Sequence, residues 1–565
     1  MRFRLSALAL GLFAAATLAQ SPSGVVINEF QYDDSGTDDR EFVELYNGSA
    51  VPVDISGWTL FAADATWPAD NNPDYVIPAN TILGAGQFYV LGAPLVPNVN
   101  QIVVNGATST NLWENDNETL TLTDTLGFVH DTLAYEANKN GAVTFPTQFA
   151  EGVGIYGNMS SQDFSPQSWS RWFDGYDTNN NGRDFGLRLA TPGASNNTAN
   201  LLTFFDNFDA TPTLTPVAGW SGSFRHPMVI DPTLPDINNP SSIPASPNGG
   251  NCMIMWDITG GGNSAILESA ATDNMLLECY VYIRQAPALV CPDFETWAIG
   301  VRGTCETFHN HPNPIASLAP CANTTVTDTN GNTGVSWFYQ VDLLGNALLI
   351  LVDENSGGNT ERVLGQIAIT PGVNDGWQRL RLQVAGDVVV ANFGGTYGNP
   401  NDGVRIQALL QDGVQFGTAY MSYREFIVNN SNARPITIDD LVVTTTPVPY
   451  TVFMVQPAAG QIRVENRGLT AGTDFNNVFS VIPCPGGPGT GPYLGLCAID
   501  PLVELLPQVL QPIGAEPFHP FAFADSYTSP TYSGLIPGLT VDCVSFQLSF
   551  GIFLGISQVH EIVTQ

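Results

Sequence analysis

Basic side chains are scarce in this chain. Lys and Arg number 18 against 53 Asp and Glu, Lys139 is the only lysine, and the formal net charge is −35. A surface this negative repels phosphate backbones, which disfavours nucleic acid as a partner. Long apolar runs are missing as well. Leu5–Ala16 is apolar but shorter than the roughly 20 residues a membrane helix needs, and no later stretch is long enough. Cysteine is absent before Cys252. Catalytic signatures are also lacking: no Gly-x-Ser-x-Gly elbow occurs, and no Glu-x-Asp-x-Glu strand of the glucanase type. The Gly/Pro-rich loop around Gly486 has no following Lys-Ser/Thr for a phosphate cradle. His560-Glu561 lacks the second histidine of a zinc-protease helix.

What is present points outward from the cytoplasm. Arg2 and Arg4, the Leu5–Ala16 run and the small residues of Thr17-Leu18-Ala19 have the three parts of a secretory signal, so residues 1–19 are expected to be removed. The expected location is secreted or periplasmic. The acidity keeps an exported protein soluble and suits divalent cations, and it also suits a saline or acidic setting. In an oxidising compartment cysteines pair more readily than they bind metal. Close spacing favours Cys305–Cys321 and Cys484–Cys497, and the odd counts leave Cys543 either a partner in the middle region or a free thiol.

Length predicts three to four domains, and short β-branched or aromatic runs between Gly, Pro, Asn and Thr turns predict an all-β chain. The first module spans 25–197. Strands are expected at Val25–Phe30, Glu41–Tyr46, Trp58–Ala62, Gln87–Leu91, Glu118–Thr123 and Val129–Tyr135, with Trp58 in the core. Val43 and Leu45 alternate with their neighbours as in a half-buried strand. Val26-Ile27-Asn28-Glu29-Phe30, Glu41 to Asn47, Val53 to Leu60, Gly86 to Leu91 and the closing Thr191-Pro192-Gly193-Ala194-Ser195-Asn196 together resemble the lamin-tail domain. The resemblance implies an immunoglobulin-like sandwich used as an accessory binding or tethering unit on exported bacterial proteins.

The second module, 201–446, opens with Phe204-Phe205-Asp206-Asn207-Phe208-Asp209 and closes with Ile436 to Val443. Between them Leu380, Leu382 and Val384 alternate with Arg379, Arg381 and Gln383, the pattern of a strand with one face in. This order is similar to concanavalin-like jelly rolls of the laminin-G and glucanase type. The resemblance implies two large curved sheets, often with a sugar-facing concave side and a structural calcium ion. The third module, 450–565, is a small β-rich unit after a linker at Thr444–Pro449.

Candidate chemistry is sparse. Asp177-Thr178-Asn179-Asn180-Asn181-Gly182-Arg183-Asp184 places oxygen side chains at alternate positions before a glycine, as a calcium loop needs, with Asp177, Asn179, Asn181 and Asp184 as ligands. Arg188 stands where an EF-hand has its bidentate carboxylate, and an Asx-stabilised turn accounts for the run equally. A second calcium position joins Asp206 and Asp209 to Asp439 or Asp440, since the first and last strands of such a jelly roll are neighbours; alternatively one aspartate caps a turn and another faces water. Cys305, His309, His311 and Cys321 allow zinc in an unusual spacing, against the disulfide. Trp256, Trp297, Trp337, Phe338 and Tyr339 are candidate sugar platforms, although adjacent rings on a strand must point to opposite faces. The expected function is therefore non-catalytic binding or adhesion, with a polysaccharide or cell-surface component as partner. A jelly-roll glycoside hydrolase or lyase and a purely structural envelope component are the alternatives.

Overall fold

The computed structural model describes residues 21–565 apart from 22, 35–36, 65–73, 116–117, 137–150, 153, 156–166, 197–202, 223–226, 235–242, 256–261, 268–271, 284–293, 304–333, 342–346, 354–361, 411–415, 427–435 and 550. Residues 1–20, where the signal is expected, and Cys305, Cys321, His309, His311 and Trp256 lie outside the described residues. The chain is all-β, and among the described residues the helices are short. It divides into two compact units, one made of 1–382, 391–406 and 412–445, the other of 383–390, 407–411 and 446–565.

The first sandwich faces a six-stranded sheet with a four-stranded one. The larger runs in the order Phe185–Leu189, Gln167–Arg171, Val25–Gln31, Phe42–Asn47, Phe88–Gly92 and Gln101–Ile102; the smaller runs Val129–Tyr135, Glu118–Thr123, Thr59–Asp64 and Tyr75–Val76. Period-two alternation sends Phe30, Val43, Leu45, Leu60, Leu122 and Leu133 into one core with Trp58, Trp113 and Trp169. Trp58 lies flat on His130, ring centroids 4.1 Å apart.

The Phe42–Asn47 strand departs from the expected half-burial, because its polar face is covered too. Glu44 is 0% exposed. The covering element is the closing Thr191–Asn196 turn, which the buried glutamates hold. Glu44 Oε2 accepts the Gly193 N–H at 2.6 Å, and Glu29 accepts the Thr191 N–H at 2.7 Å and its hydroxyl at 3.0 Å. Asp174 takes the Ser195 hydroxyl and the Asn196 N–H. The Glu residues of the first two strands and the distant Pro-Gly turn are thus one structural unit. Burial pushes the Glu29 carboxyl up to about 7 and that of Glu44 up to about 8.

The jelly roll packs an eight-stranded sheet against a seven-stranded one. The first runs Met228–Ile230, Cys252–Met255, Ile436–Thr445, Asn274–Ile283, Gly376–Ala385, Val388–Phe393 and Val404–Leu409, with Thr203–Asp206 also paired to Ile436–Thr445. The second runs Trp220–Gly222, Gly262–Leu267, Thr418–Phe426, Phe294–Gly303, Val335–Val341, Ala347–Asp353 and Arg362–Ile369. Leu380, Leu382 and Val384 face inward as expected, all 0% exposed, yet Arg379 and Arg381 opposite them are buried as well. Trp297 and Tyr339 stack at 5.1 Å, and Trp337 Nε1 donates to the Arg381 carbonyl at 3.3 Å. With Phe338, these rings are at most 3% exposed. They are core, so they offer no platform to a sugar.

The C-terminal unit contains two small sheets. Thr451–Val455, Gln461–Arg467 and Ser526–Thr528 form one, with Tyr532–Ser533 attached; Phe521–Ala522, Thr473–Ser480, Thr540–Ser549 and Ile552–Ile556 form the other, with His560–Val563 attached. The Cys484–Cys497 disulfide closes a loop of sequence separation 13, while Cys279 and Cys543 are buried thiols. Loop-closure entropy gives that bridge about 3 kcal/mol. Reduction is expected to lower the melting temperature of the unfolding transition that Cys484→Ser also lowers, followed by calorimetry; an unchanged transition in both would contradict this.

Candidate binding site

The outer face of the eight-stranded sheet is built by alternation. Met275, Leu277, Cys279, Val281 and Ile283 fill the core, so Glu278, Tyr280 and Tyr282 project from the opposite face. The neighbouring Gly376–Ala385 strand adds Trp377, Arg379 and Arg381 there by the same rule. Trp377 meets Tyr282 edge-on at 5.4 Å, and Tyr280 meets Tyr397 at the same centroid distance, tilted by 37°. All four rings are half-buried. Two are anchored: Trp377 Nε1 donates to the Pro244 carbonyl at 2.8 Å, and the Tyr397 hydroxyl donates to the Asp440 carbonyl at 2.6 Å.

Beneath these rings lies a buried ion-pair network. Arg379 Nε donates to Glu278 Oε1 at 2.6 Å, Nη1 to Asp402 Oδ1 at 3.1 Å and Nη2 to the Asn399 carbonyl at 2.6 Å. Glu278 Oε1 also accepts the Gly398 N–H at 2.7 Å. Both carboxylates are engaged by one guanidinium, which holds the 394–402 loop onto the sheet. Hydrogen bonds led by the Thr396 N–H hold the Asp402 carboxyl below its usual range.

The acidic corner adjoins this face. Pairing of Thr203–Asp206 with Leu441–Thr444 brings the first and last strands together, and Asp440 sits in the left-handed region at φ 51. Asp206 Oδ1 accepts the Phe208 N–H at 2.6 Å, so Asp206 caps its own turn. Asp209 accepts from the Asn251 N–H and from Asn207 Nδ2, both at 2.9 Å. A Cβ on Gly250, which is left-handed at φ 81, would collide with the Asp209 carboxylate, so glycine suits that approach. Asp440 Oδ2 accepts from Asn248 at 2.5 Å. Asp439 Oδ1 accepts the Asp440 N–H at 2.8 Å, and its buried Oδ2 has no hydrogen-bond partner. Burial pushes the Asp439 carboxyl up to about 7, with the Asp440 and Asp209 charges adding and the Ser246 hydroxyl opposing.

The Asp177–Asp184 run lies in the first sandwich, wrapped around a residue the sequence did not single out. Arg171, 0% exposed, reaches Asp131 Oδ2 at 2.8 Å, Asp184 Oδ2 at 3.3 Å and Asp177 Oδ1 at 3.6 Å. It also donates to the Ile27 and Tyr176 carbonyls, each at 2.7 Å. Asp184 further accepts the Thr178 N–H and hydroxyl, and Asp177 accepts the Asn179 N–H. Asn179 is left-handed at φ 54, the turn an asparagine tolerates. Asn181 serves elsewhere, accepting from the Ala134 and Glu151 N–H groups and donating to the Thr132 carbonyl. Nothing in the sequence connects Arg171, Asp131 and Glu151; the hint it offers is an arginine set between Trp169 and Trp172 in so acidic a chain.

Residues 19–137 match the family described as Lamin Tail Domain. No curated protein matches the chain. Among solved structures it is similar to the Ca2+/Man3GlcNAc-bound exoplasmic/lumenal domain of VIP36, at 9% identity and TM-score 0.25, covering 44% of this chain and 92% of that one. It is similar also to the potassium-bound Emp46p carbohydrate recognition domain, at 8% identity and TM-score 0.25, covering 43% and 98%. A Bacillus licheniformis β-glucanase is similar at 9% identity and TM-score 0.24, covering 44% and 99%.

Proposed function

We propose that this chain is an exported, non-catalytic binding protein whose jelly roll recognises extracellular or cell-envelope glycans. The observation that carries the reading is the row of half-buried rings, Trp377, Tyr282, Tyr280 and Tyr397, on one sheet face. Flat rings with a polar edge stack on the apolar face of a sugar ring, and anchored ones lose little freedom in doing so. Engagement of Glu278 and Asp402 by Arg379 supports binding over hydrolysis, because a glycosidase needs one carboxyl to act as acid and another as base or nucleophile. Calcium belongs to this reading at the acidic corner. The buried Oδ2 of Asp439, which has no hydrogen-bond partner, is the hard oxygen the corner would offer a cation, with the Asp440 and Asp209 charges nearby. Bound there, calcium would fix the Ile436–Thr445 strand under Tyr397.

A glycan array probed with the full chain, in calcium and in chelator, tests this. Binding to a defined glycan class is expected, and it is expected to weaken at least tenfold (about 1.4 kcal/mol) in chelator. Absence of binding under both conditions would sink the sugar assignment.

A further inference from the structure

We propose that Asp131, Glu151 and Asp177 form a binding site for a hard divalent cation of calcium's size in the first sandwich, separate from the jelly-roll corner. One carboxylate oxygen from each lies within 4.8 Å of the other two. Two ligands of one calcium ion stand at most about twice the ~2.4 Å calcium–oxygen distance apart, so the three carboxylates are close enough together to converge on a single ion.

Three elements converge to make the cluster. Asp131 comes from the Val129–Tyr135 strand, Asp177 from the turn before the short Asn181–Asp184 helix, and Glu151 from a segment pinned by Asn181. The Asn181 side chain accepts the Glu151 N–H at 3.1 Å, and the Asn181 N–H donates to the Glu151 carbonyl at 2.9 Å.

Arg171 does not complete this cluster. Its Nη2 takes Oδ2 of Asp131 and leaves Oδ1 of that fully buried carboxylate without a hydrogen-bond partner. Glu151 Oε2 is likewise buried and without a partner. A third such oxygen, Asn180 Oδ1, belongs to the turn that Gly152 packs on, where a Cβ on Gly152 would stand 2.9 Å from Asn180 Cγ. Four carboxylates, Asp131, Glu151, Asp177 and Asp184, thus surround one guanidinium. An uncompensated buried negative charge is costly, and a divalent ion supplies the missing positive charge together with the missing partners. All available donors are oxygen, which selects calcium or magnesium over zinc or copper, and the spread of the oxygens favours the larger ion.

The test uses the full chain stripped with chelator and titrated calorimetrically with calcium chloride and, separately, magnesium chloride. Calcium is expected to bind at one site more in the wild type than in Glu151→Gln, with affinity at that site down at least 100-fold. Asp439→Asn is expected to leave this site intact, which separates it from the jelly-roll corner. Asp177→Asn serves as a second variant, and near-ultraviolet circular dichroism of the ion-free proteins checks folding. Crystals of the wild type grown in calcium give a measurement that needs no variant: an anomalous peak between the three carboxylates is expected. Equal stoichiometry in wild type and Glu151→Gln, or no peak at that position, would overturn the proposal.

Discussion

Arg171→Met is expected to destabilise the first sandwich by about 3–5 kcal/mol, the cost of removing one partner from a buried ion pair. The guanidinium is the shared cation for Asp131, Asp177 and Asp184 and also satisfies the Ile27 and Tyr176 carbonyls. Methionine fills most of the volume, so the loss is electrostatic rather than a cavity. It leaves the carboxylates facing one another in a site shut off from water, and two carbonyls without donors. Arg171→Lys keeps the charge but not the planar fork, and is expected to fall between the two. Its stem would also lose the placement of a guanidinium 4.7 Å over the Phe185 ring. Urea unfolding of the full chain, read at the transition that Arg171→Met shifts, measures this. A loss below about 1 kcal/mol, the scale of an exposed ion pair, would contradict the role given to Arg171.

The second large effect is with pH. In the first sandwich burial raises the carboxyls of Asp131 to about 6, Glu29 to about 7, Glu44 to about 8 and Glu41 to about 9. Each folded-state value lies above the unfolded one, so the native protein holds protons that the unfolded chain has released. Stability from these groups is fully present below about pH 4 and is lost as pH rises through 6 to 9. In chelator, where no cation can offset the charge, this sandwich is expected to melt at a higher temperature at pH 5.5 than at pH 8.5. The fall should be at least about 1.4 kcal/mol per pH unit, the slope of one net proton. A melting temperature that is flat or rises over that range would contradict it. Glu41→Gln should flatten the profile, since its amide is neutral throughout; its carboxylate accepts the Leu112 N–H.

Much of the fold was legible because alternation is a local signal. The strands around Val43, Leu60, Leu122 and Leu382 follow from neighbours two residues apart, and the lamin-tail motifs stand in readable order. The covered faces were not legible. Glu44 and Arg379 look like solvent-facing residues until the Thr191–Asn196 turn and the 394–402 loop are laid over them. Those contacts join residues far apart in the chain. The sites divide in the same way. The Asp177–Asp184 run was visible as a motif, but its cation partner Arg171 and the carboxylates Asp131 and Glu151 come from other elements. The aromatic row was obscured by louder signals. Trp337-Phe338-Tyr339 is the conspicuous aromatic run and is core, whereas Trp377 and Tyr282 come from separate strands that no spacing connects.

The most direct test of the binding role is a calorimetric titration of the full chain with the oligosaccharide that an array selects, in calcium, for wild type and Trp377→Ala. Saturable binding is expected in the wild type, at least tenfold weaker in the variant (about 1.4 kcal/mol), with no new reducing ends after prolonged incubation. Undiminished binding in Trp377→Ala would place the ligand elsewhere, and release of reducing ends would make the protein an enzyme.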